Sequence, residues 1–185
     1  MMSAELLENP LVEKSTRRVA LPVVPNAEAA AVCRECGGGC CKSMPGIAAP
    51  EDFGAPDLDV MRERISAALA TGRWAIDWWE GDPTDGDLDC VEYIRPAVMM
   101  HEGRLRHPSW GGRCTFLGPS GCTLQHDDRP HNCRALVPNP EFKTESCVMP
   151  PGLQKQDYAI AWMPYADLLG DMQVHRTTQA QPILK

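Results

Sequence analysis

Residues 33–41 of this chain read Cys33-Arg-Glu-Cys36-Gly-Gly-Gly-Cys40-Cys41, so that four cysteines and three consecutive glycines occupy nine positions. A C-x-x-C pair followed by glycine can direct two thiolates at one metal while backbone N–H groups turn toward the sulfurs. Glycine permits the positive φ angles that such a turn needs, and it disfavours a regular helix by about 1 kcal/mol per residue. We therefore expect residues 31–45 to form an irregular loop shaped by a metal.

A second, more widely spaced set of cysteines follows later in the chain. Residues 114–124 read C-x-F-L-x-x-x-G-C-x-L, residues 129–134 read Arg-Pro-His-Asn-Cys-Arg, and Cys147 comes last. Residues 103–140 are rich in Gly, Pro, His and Cys and show little periodicity, so we expect metal ligation to order them. The candidate ligands from both sets are Cys33, Cys36, Cys40, Cys41, Cys114, Cys122, Cys133 and Cys147.

The composition limits the classes of protein to consider. The 185 residues include 18 basic and 25 acidic side chains, and the formal net charge is −7. This balance, without a run of Lys and Arg, argues against nucleic acid as a partner. The longest apolar stretch near the N-terminus, residues 19–24, is interrupted and closed by proline and predicts neither a signal peptide nor a membrane span. We expect a soluble, cytoplasmic protein, whose reduced thiols more often bind metal than form disulfides.

The number and spacing of the cysteines leave the metal open. Eight thiolates would complete two closed zinc sites, whereas one cubane iron–sulfur cluster would use four. Because adjacent side chains usually diverge, the doublet Cys40-Cys41 suits a multi-iron cluster or two neighbouring ions better than one tetrahedral ion. The crowding favours an iron–sulfur cluster over zinc, although both accept thiolates. The ninth cysteine, Cys90, is expected to be a buried small residue, and His131 ranks below the thiols as a ligand.

Basic residues stand next to several cysteines in the sequence. A positive neighbour lowers the pKa of a thiol and stabilises the thiolate that a metal requires. We therefore expect such neighbours to favour the thiolates. The basic residues concerned are Arg34, Lys42, Arg113 and Arg134.

Regular elements are expected outside the cysteine motifs. Apolar residues of 56–71 recur on one helical face and predict a helix. Residues 73–79 and 90–100 are typical of strands and predict an antiparallel hairpin with a long loop. The apolar segment 158–169 predicts a helix that Pro164 kinks or divides.

Aromatic and acidic residues near the expected hairpin could suggest other sites. Trp74, Trp78 and Trp79 resemble a ligand cage, but core packing is the better interpretation in a chain with few aromatics. The acidic stretch within residues 77–89 lacks the spacing of a calcium-binding loop and is expected to be solvated.

The combined motifs resemble those of a known family. C-x-x-C-G-x-x-C-C followed by Pro45-Gly46, then C-x-F-L-x-x-x-G-C-x-L, then R-P-x-x-C-R, is similar to the CxxCxxCC cysteine-cluster family, the YkgJ-like zinc- or iron-chelating domain. The first motif has one residue more between its second and third cysteines than that family name implies. The resemblance spans residues 33–147 and implies that the eight cysteines bind metal, with Arg129, Pro130 and Arg134 supporting the second set. Related domains occur in the longer flagellin lysine N-methylases, which offer methyl transfer as an analogy.

These observations predict a small, loop-rich α+β domain with few regular elements, stabilised by metal. Residues 1–30 would form a partly ordered arm, residues 31–150 the cysteine-cluster domain, and residues 151–185 a helical segment that packs on it or forms a tail. Structural metal contributes enough free energy to order such segments, so we expect the metal-free protein to be disordered around residues 31–50 and 103–148.

The expected function is metal binding by zinc or an iron–sulfur cluster, for structure, metal handling or electron transfer. One alternative is an iron–sulfur-dependent enzyme of methyl transfer or redox chemistry. The sequence offers no glycine-rich cofactor loop, Ser/His/Asp pattern or paired-carboxylate pattern in its support. A second alternative is a zinc-stabilised interaction module with a protein partner, which an exposed tryptophan patch would favour.

Overall fold

The structure is a computed structural model that describes residues 35–79, 90–101, 111–138 and 147–179. This part of the chain combines helices with small antiparallel strand pairs, as expected for the α+β class. Its helices are α1 (Gly39–Ser43), α2 (Leu58–Ala70), α3 (His131–Ala135), α4 (Lys155–Ile160) and α5 (Ala166–Gln179). Its strands are β1 (Trp74–Trp79), β2 (Val91–Pro96), β3 (Leu117–Gly118), β4 (Gly121–Cys122), β5 (Val137–Pro138) and β6 (Cys147–Val148). They pair antiparallel as β1 with β2, β3 with β4 and β5 with β6.

Helix α2 confirms the helix expected from the apolar periodicity. The carboxylate of Asp57 accepts hydrogen bonds of 3.1 Å from two backbone N–H groups of the first turn and caps the N-terminus. Gly72 follows the helix with a φ of 71°, which suits a chain reversal. The buried face consists of Met61, Ile65 and Leu69.

The hairpin of β1 and β2 is also confirmed, with Ile76 opposite Ile94 and Asp77 opposite Tyr93. Its loop, residues 80–89, lies outside the described residues together with most of the acidic stretch. Asp77 is a correction to that expectation, because its side chain is only 1% exposed and forms an ion pair with Arg95. The interior of β1 is covered on both faces, so this carboxylate needs a buried partner.

The C-terminal helices complete the main core. Pro164 lies in a 3₁₀ turn, Met163–Tyr165, that divides α4 from α5 as expected. Trp162 is fully buried, and its indole N–H donates to the carbonyl of Ala48 at 2.7 Å. The buried side chains of this core are those of Ile47, Ala48, Ala49, Phe53, Met61, Ile65, Leu69, Ile76, Tyr93, Ile94, Ala135, Tyr158, Ala159, Trp162, Leu168, Leu169 and Met172. No helix within the described ranges is long and apolar enough to cross a membrane.

A smaller apolar cluster contains four of the cysteines, and Trp74 packs against both it and the main core. The buried residues of this cysteine cluster are Cys41, Cys114, Phe116 and Leu117, and Cys40, Cys122 and Leu124 pack against them. The Trp74 ring lies 5.7 Å from the ring of Phe53 in the main core and 5.6 Å from that of Phe116 in the cysteine cluster.

Of the remaining expectations for single side chains, the one for the tryptophans is confirmed and the one for Cys90 is wrong. Trp78 is buried, and Trp74 and Trp79 pack against the main core, which confirms the expected core role of these three residues. These three residues therefore do not form the exposed patch that would favour an interaction module. Cys90 is half-buried just before β2, so the expectation of a buried residue is wrong.

Candidate metal centre

Glycines position the first cysteine motif. Gly37 and Gly38 have φ angles of 59° and 75° and lead directly into α1. A Cβ at Gly38 would lie 2.6 Å from the side chain of Leu117, so this turn packs closely on β3. The expectation of an irregular loop over residues 31–45 is wrong for α1. The glycines precede or begin this helix, and its interior therefore avoids their helix-breaking cost.

The doublet Cys40-Cys41 brings two sulfurs together. Their Sγ atoms are 3.9 Å apart. The expectation that these adjacent side chains diverge is therefore wrong. Two thiolates on one tetrahedral zinc, each about 2.3 Å from the metal, are separated by about 3.8 Å. The doublet thus already has the spacing of two ligands on a single tetrahedral ion.

Cys114 connects the second motif to the first. Its backbone N–H donates to the carbonyl of Cys41 at 2.8 Å, and both side chains belong to the same buried cluster. The backbone N–H of Phe116 points at Cys114 Sγ from 3.4 Å, an arrangement also found around metal-bound thiolates. Residues more than seventy positions apart therefore meet through both backbone and side chains.

Cys133, on α3, approaches the same thiols from another side. It interacts electrostatically with Cys40, Cys41 and Cys122. A Cβ at Gly46 would collide with Cys133 Sγ, so the chain after the first motif packs directly on this sulfur. Four segments thus contribute thiols to one region of the molecule.

A cavity of about 190 Å³ lies among these thiols. Its lining includes Cys40, Cys41, Cys133 and Cys147, and Lys155 reaches it from α4. The described lining contains no carboxylate, so its donors are soft sulfur atoms that suit zinc, iron–sulfur or copper(I) better than magnesium or calcium.

The remaining candidate ligands are placed less closely or not at all. Cys36 is half-buried just before the Gly37 turn and does not line the cavity. Cys122 packs against the cysteine cluster from β4. Cys33 lies outside the described residues.

Crowding and burial keep the thiols protonated. The pKa values of Cys40, Cys41 and Cys133 are all raised well above the ordinary thiol value. The largest cause is the hydrogen bond with Cys41 for Cys40, the hydrogen bond with Cys114 for Cys41, and burial for Cys133. The expected lowering by basic sequence neighbours is wrong for these three thiols, because burial and contacts between thiols outweigh it.

As they stand, no three His, Cys, Asp or Glu side chains of the described ranges are arranged to hold one metal ion. Rotation of a thiol about χ1 to another staggered position would be needed to bring further sulfurs to the Cys40–Cys41 pair. The fit to a metal lies in the chemistry of the donors and in the convergence of their backbones.

A set of hydrogen bonds that sequence reasoning missed fixes the position of α3, the helix that carries Cys133. Arg134 donates to one carboxylate oxygen of Asp52, and the other oxygen accepts from the backbone N–H groups of His131 at 2.7 Å and Ala49 at 3.0 Å. These bonds tie the 3₁₀ helix Pro50–Phe53 to the start of α3. Asp52 stands 82 positions before Arg134, and no local pattern marks it.

Arg129 and the histidines have structural contacts in this arrangement. Arg129 Nε donates to the carbonyl of Leu124 at 3.2 Å and anchors the segment between β4 and α3. The His131 ring faces Arg134 at 3.3 Å, and His126 is buried with Nδ1 3.1 Å from Asp127. Arg129 and His131 thus hold the segment around Cys133, whereas His126 contacts its sequence neighbour.

Comparison with known proteins gives no match to a family model, to a curated protein or to a solved structure. The resemblance to the cysteine-cluster family therefore rests on motif spacing alone.

Proposed function

We propose that this protein binds a thiophilic metal, as zinc or as an iron–sulfur cluster, through its two cysteine motifs. The observation that supports the proposal best is the meeting of Cys40, Cys41 and Cys133 around one cavity, with the backbone N–H of Cys114 hydrogen-bonded to the carbonyl of Cys41. Isolated buried cysteines would not be expected to converge from separate segments, whereas ligands of one centre must do so.

The proposed ligands are drawn from the eight cysteines outside the hairpin region, with Cys40 and Cys41 as a pair on one metal. A pair separated by 3.9 Å suits zinc, or a two-iron cluster in which each iron takes two cysteines, better than a cubane in which each iron takes one. The spacing thus shifts the preference away from the cubane cluster. A divalent ion would deprotonate thiols that are otherwise neutral here.

In this proposal the metal serves first to fasten the cysteine cluster onto the main core. A reducing compartment such as the cytoplasm would keep the thiols available for the metal. The motif spacing resembles that of the YkgJ-like domains, so the proposal includes membership of that family.

Anaerobic purification, metal analysis and a visible absorption spectrum test the proposal. We expect stoichiometric zinc in a colourless protein or iron and sulfide in a coloured one. Cys133→Ser should remove most of the bound metal, and Cys90→Ser, the matched control, should leave it unchanged. A wild-type protein without zinc or iron, or a Cys133→Ser variant with full occupancy, would contradict the proposal.

A further inference from the structure

Lys155 reaches the thiol-lined cavity from the far end of the chain. It is the first residue of α4, and its Nζ donates to the Met44 sulfur at 2.8 Å across 111 positions of sequence. Lys155 lines the cavity together with Met44, Cys40 and Cys133. The chain therefore places a cation beside the proposed ligands.

Among the described residues, the hydrogen-bond partner of Lys155 does not balance its charge. Within the described ranges no carboxylate forms an ion pair with this lysine, and its hydrogen-bond acceptor is a thioether, which accepts weakly. The nearby Asp157 is engaged elsewhere, since its carboxylate accepts from the backbone N–H of Gln154 at 2.7 Å. A half-buried ammonium without an anion is unfavourable, so its position calls for negative charge in the cavity.

Metal binding would create that negative charge. Four neutral thiols that lose four protons to bind one divalent zinc leave a centre with a net charge of −2. Four thiolates on an iron–sulfur core of charge +2 give the same total. A fixed cation beside the sulfurs favours the metal-bound state over the neutral thiols in either case.

We propose that Lys155 is a positioning residue that balances the charge of the thiolate centre and thereby sets its metal affinity and electronic properties. This inference rests on the proposed function. Lys42, although adjacent to Cys41 in sequence, is exposed and does not line the cavity. Of these two lysines, the one that lines the cavity is thus the distant Lys155 and not the sequence neighbour.

The test compares Lys155→Met with Lys42→Met, which removes the same charge from an exposed position. Zinc affinity is measured by competition with a chelator, and the cobalt(II)-substituted proteins are examined by absorption spectroscopy. We expect Lys155→Met to lose at least about tenfold in zinc affinity, the usual effect of removing a group from the outer shell of a metal site, and Lys155→Arg to retain most of it. The sulfur-to-cobalt charge-transfer band should move to lower energy in Lys155→Met, because the cation stabilises the sulfur electrons.

The band position separates this role from a structural one. Loss of packing alone would weaken the metal-free protein without shifting the band of the cobalt-loaded protein. The inference would be overturned if Lys155→Met kept the wild-type zinc affinity and band position, or if Lys155→Met and Lys42→Met had equal effects. Either result would leave the proposed metal binding intact. A wild-type chain that binds neither zinc nor cobalt nor an iron–sulfur cluster would overturn the proposed function itself, together with this inference.

Discussion

At the scale of single residues, Gly46 shows how closely the first motif packs on the second. A methyl group there would collide with Cys133 Sγ and lie 3.0 Å from the side-chain oxygen of Asn132. We expect Gly46→Ala to reduce metal occupancy and to lower the free energy of unfolding by about 1–3 kcal/mol, the usual cost of overpacking.

Gly170 in α5 provides the matched control, because an added methyl group meets no atom within 4 Å there. Gly170→Ala should leave metal occupancy unchanged and stabilise the helix by up to about 1 kcal/mol. Denaturant unfolding and metal analysis of both variants measure these effects. Equal metal content in the two variants would show that the contact at Gly46 does not constrain the centre.

The residues that sequence reasoning missed share a physical cause. Asp52 and Lys155 act through partners 82 and 111 positions away, and such pairings leave no trace in local spacing. The acidic residues that follow Asp77 predict a solvated stretch, yet its place in a strand covered on both faces decides its burial. The cysteines proposed as ligands can be selected from the sequence because ligand spacing is a local property.

At the scale of elements, the hairpin carries a buried ion pair whose removal should be costly. Asp77 and Arg95 are 1% and 2% exposed, and burial raises the pKa of Asp77 to about 6 while Arg95 partly offsets that rise. Arg95→Met would leave the carboxylate without its partner and should destabilise the fold by about 3–5 kcal/mol. Replacing both residues, as Asp77→Leu with Arg95→Met, should recover most of this loss.

The same pair predicts a dependence on pH. Because the pKa of Asp77 is about 6 in the fold and 3.8 is its ordinary value, the folded state holds the proton more tightly. The stability that this proton provides is fully present below about pH 4 and is lost as the pH rises through 6. Urea unfolding of wild type and Asp77→Asn between pH 4 and 8 should show a difference that changes over this window. A difference in the free energy of unfolding that stays constant between pH 4 and 8 would contradict the raised pKa of Asp77.

Elements with strong local patterns were predictable, whereas the helix inside the first motif was not. Apolar spacing identified α2, strand-forming residues identified β1 and β2, and Pro164 marked the division between α4 and α5. The sequence does not predict helix α1, because three glycines argue against a helix by composition. Their positions before and at its first residue remove that objection.

At the scale of the whole molecule, the main core and the cysteine cluster differ in size. Of the described residues, the main core buries 17 side chains and the cysteine cluster four. Ile47, Ala48 and Ala49, which directly follow the first motif, belong to the main core, as does Ala135 next to the second motif. The metal would therefore order the smaller cysteine cluster rather than the main core.

Removal of the metal should consequently loosen the molecule unevenly. The sequence predicted disorder of the metal-free protein around residues 31–50 and 103–148, and the distribution of buried side chains narrows this to α1 and the β3–β4 turn. Amide hydrogen exchange after treatment with a chelator should show loss of protection there, while α2 and the hairpin keep theirs because their core contains no proposed ligand. Readdition of zinc should restore protection. Loss of protection throughout the described helices would show instead that the main core itself depends on the metal.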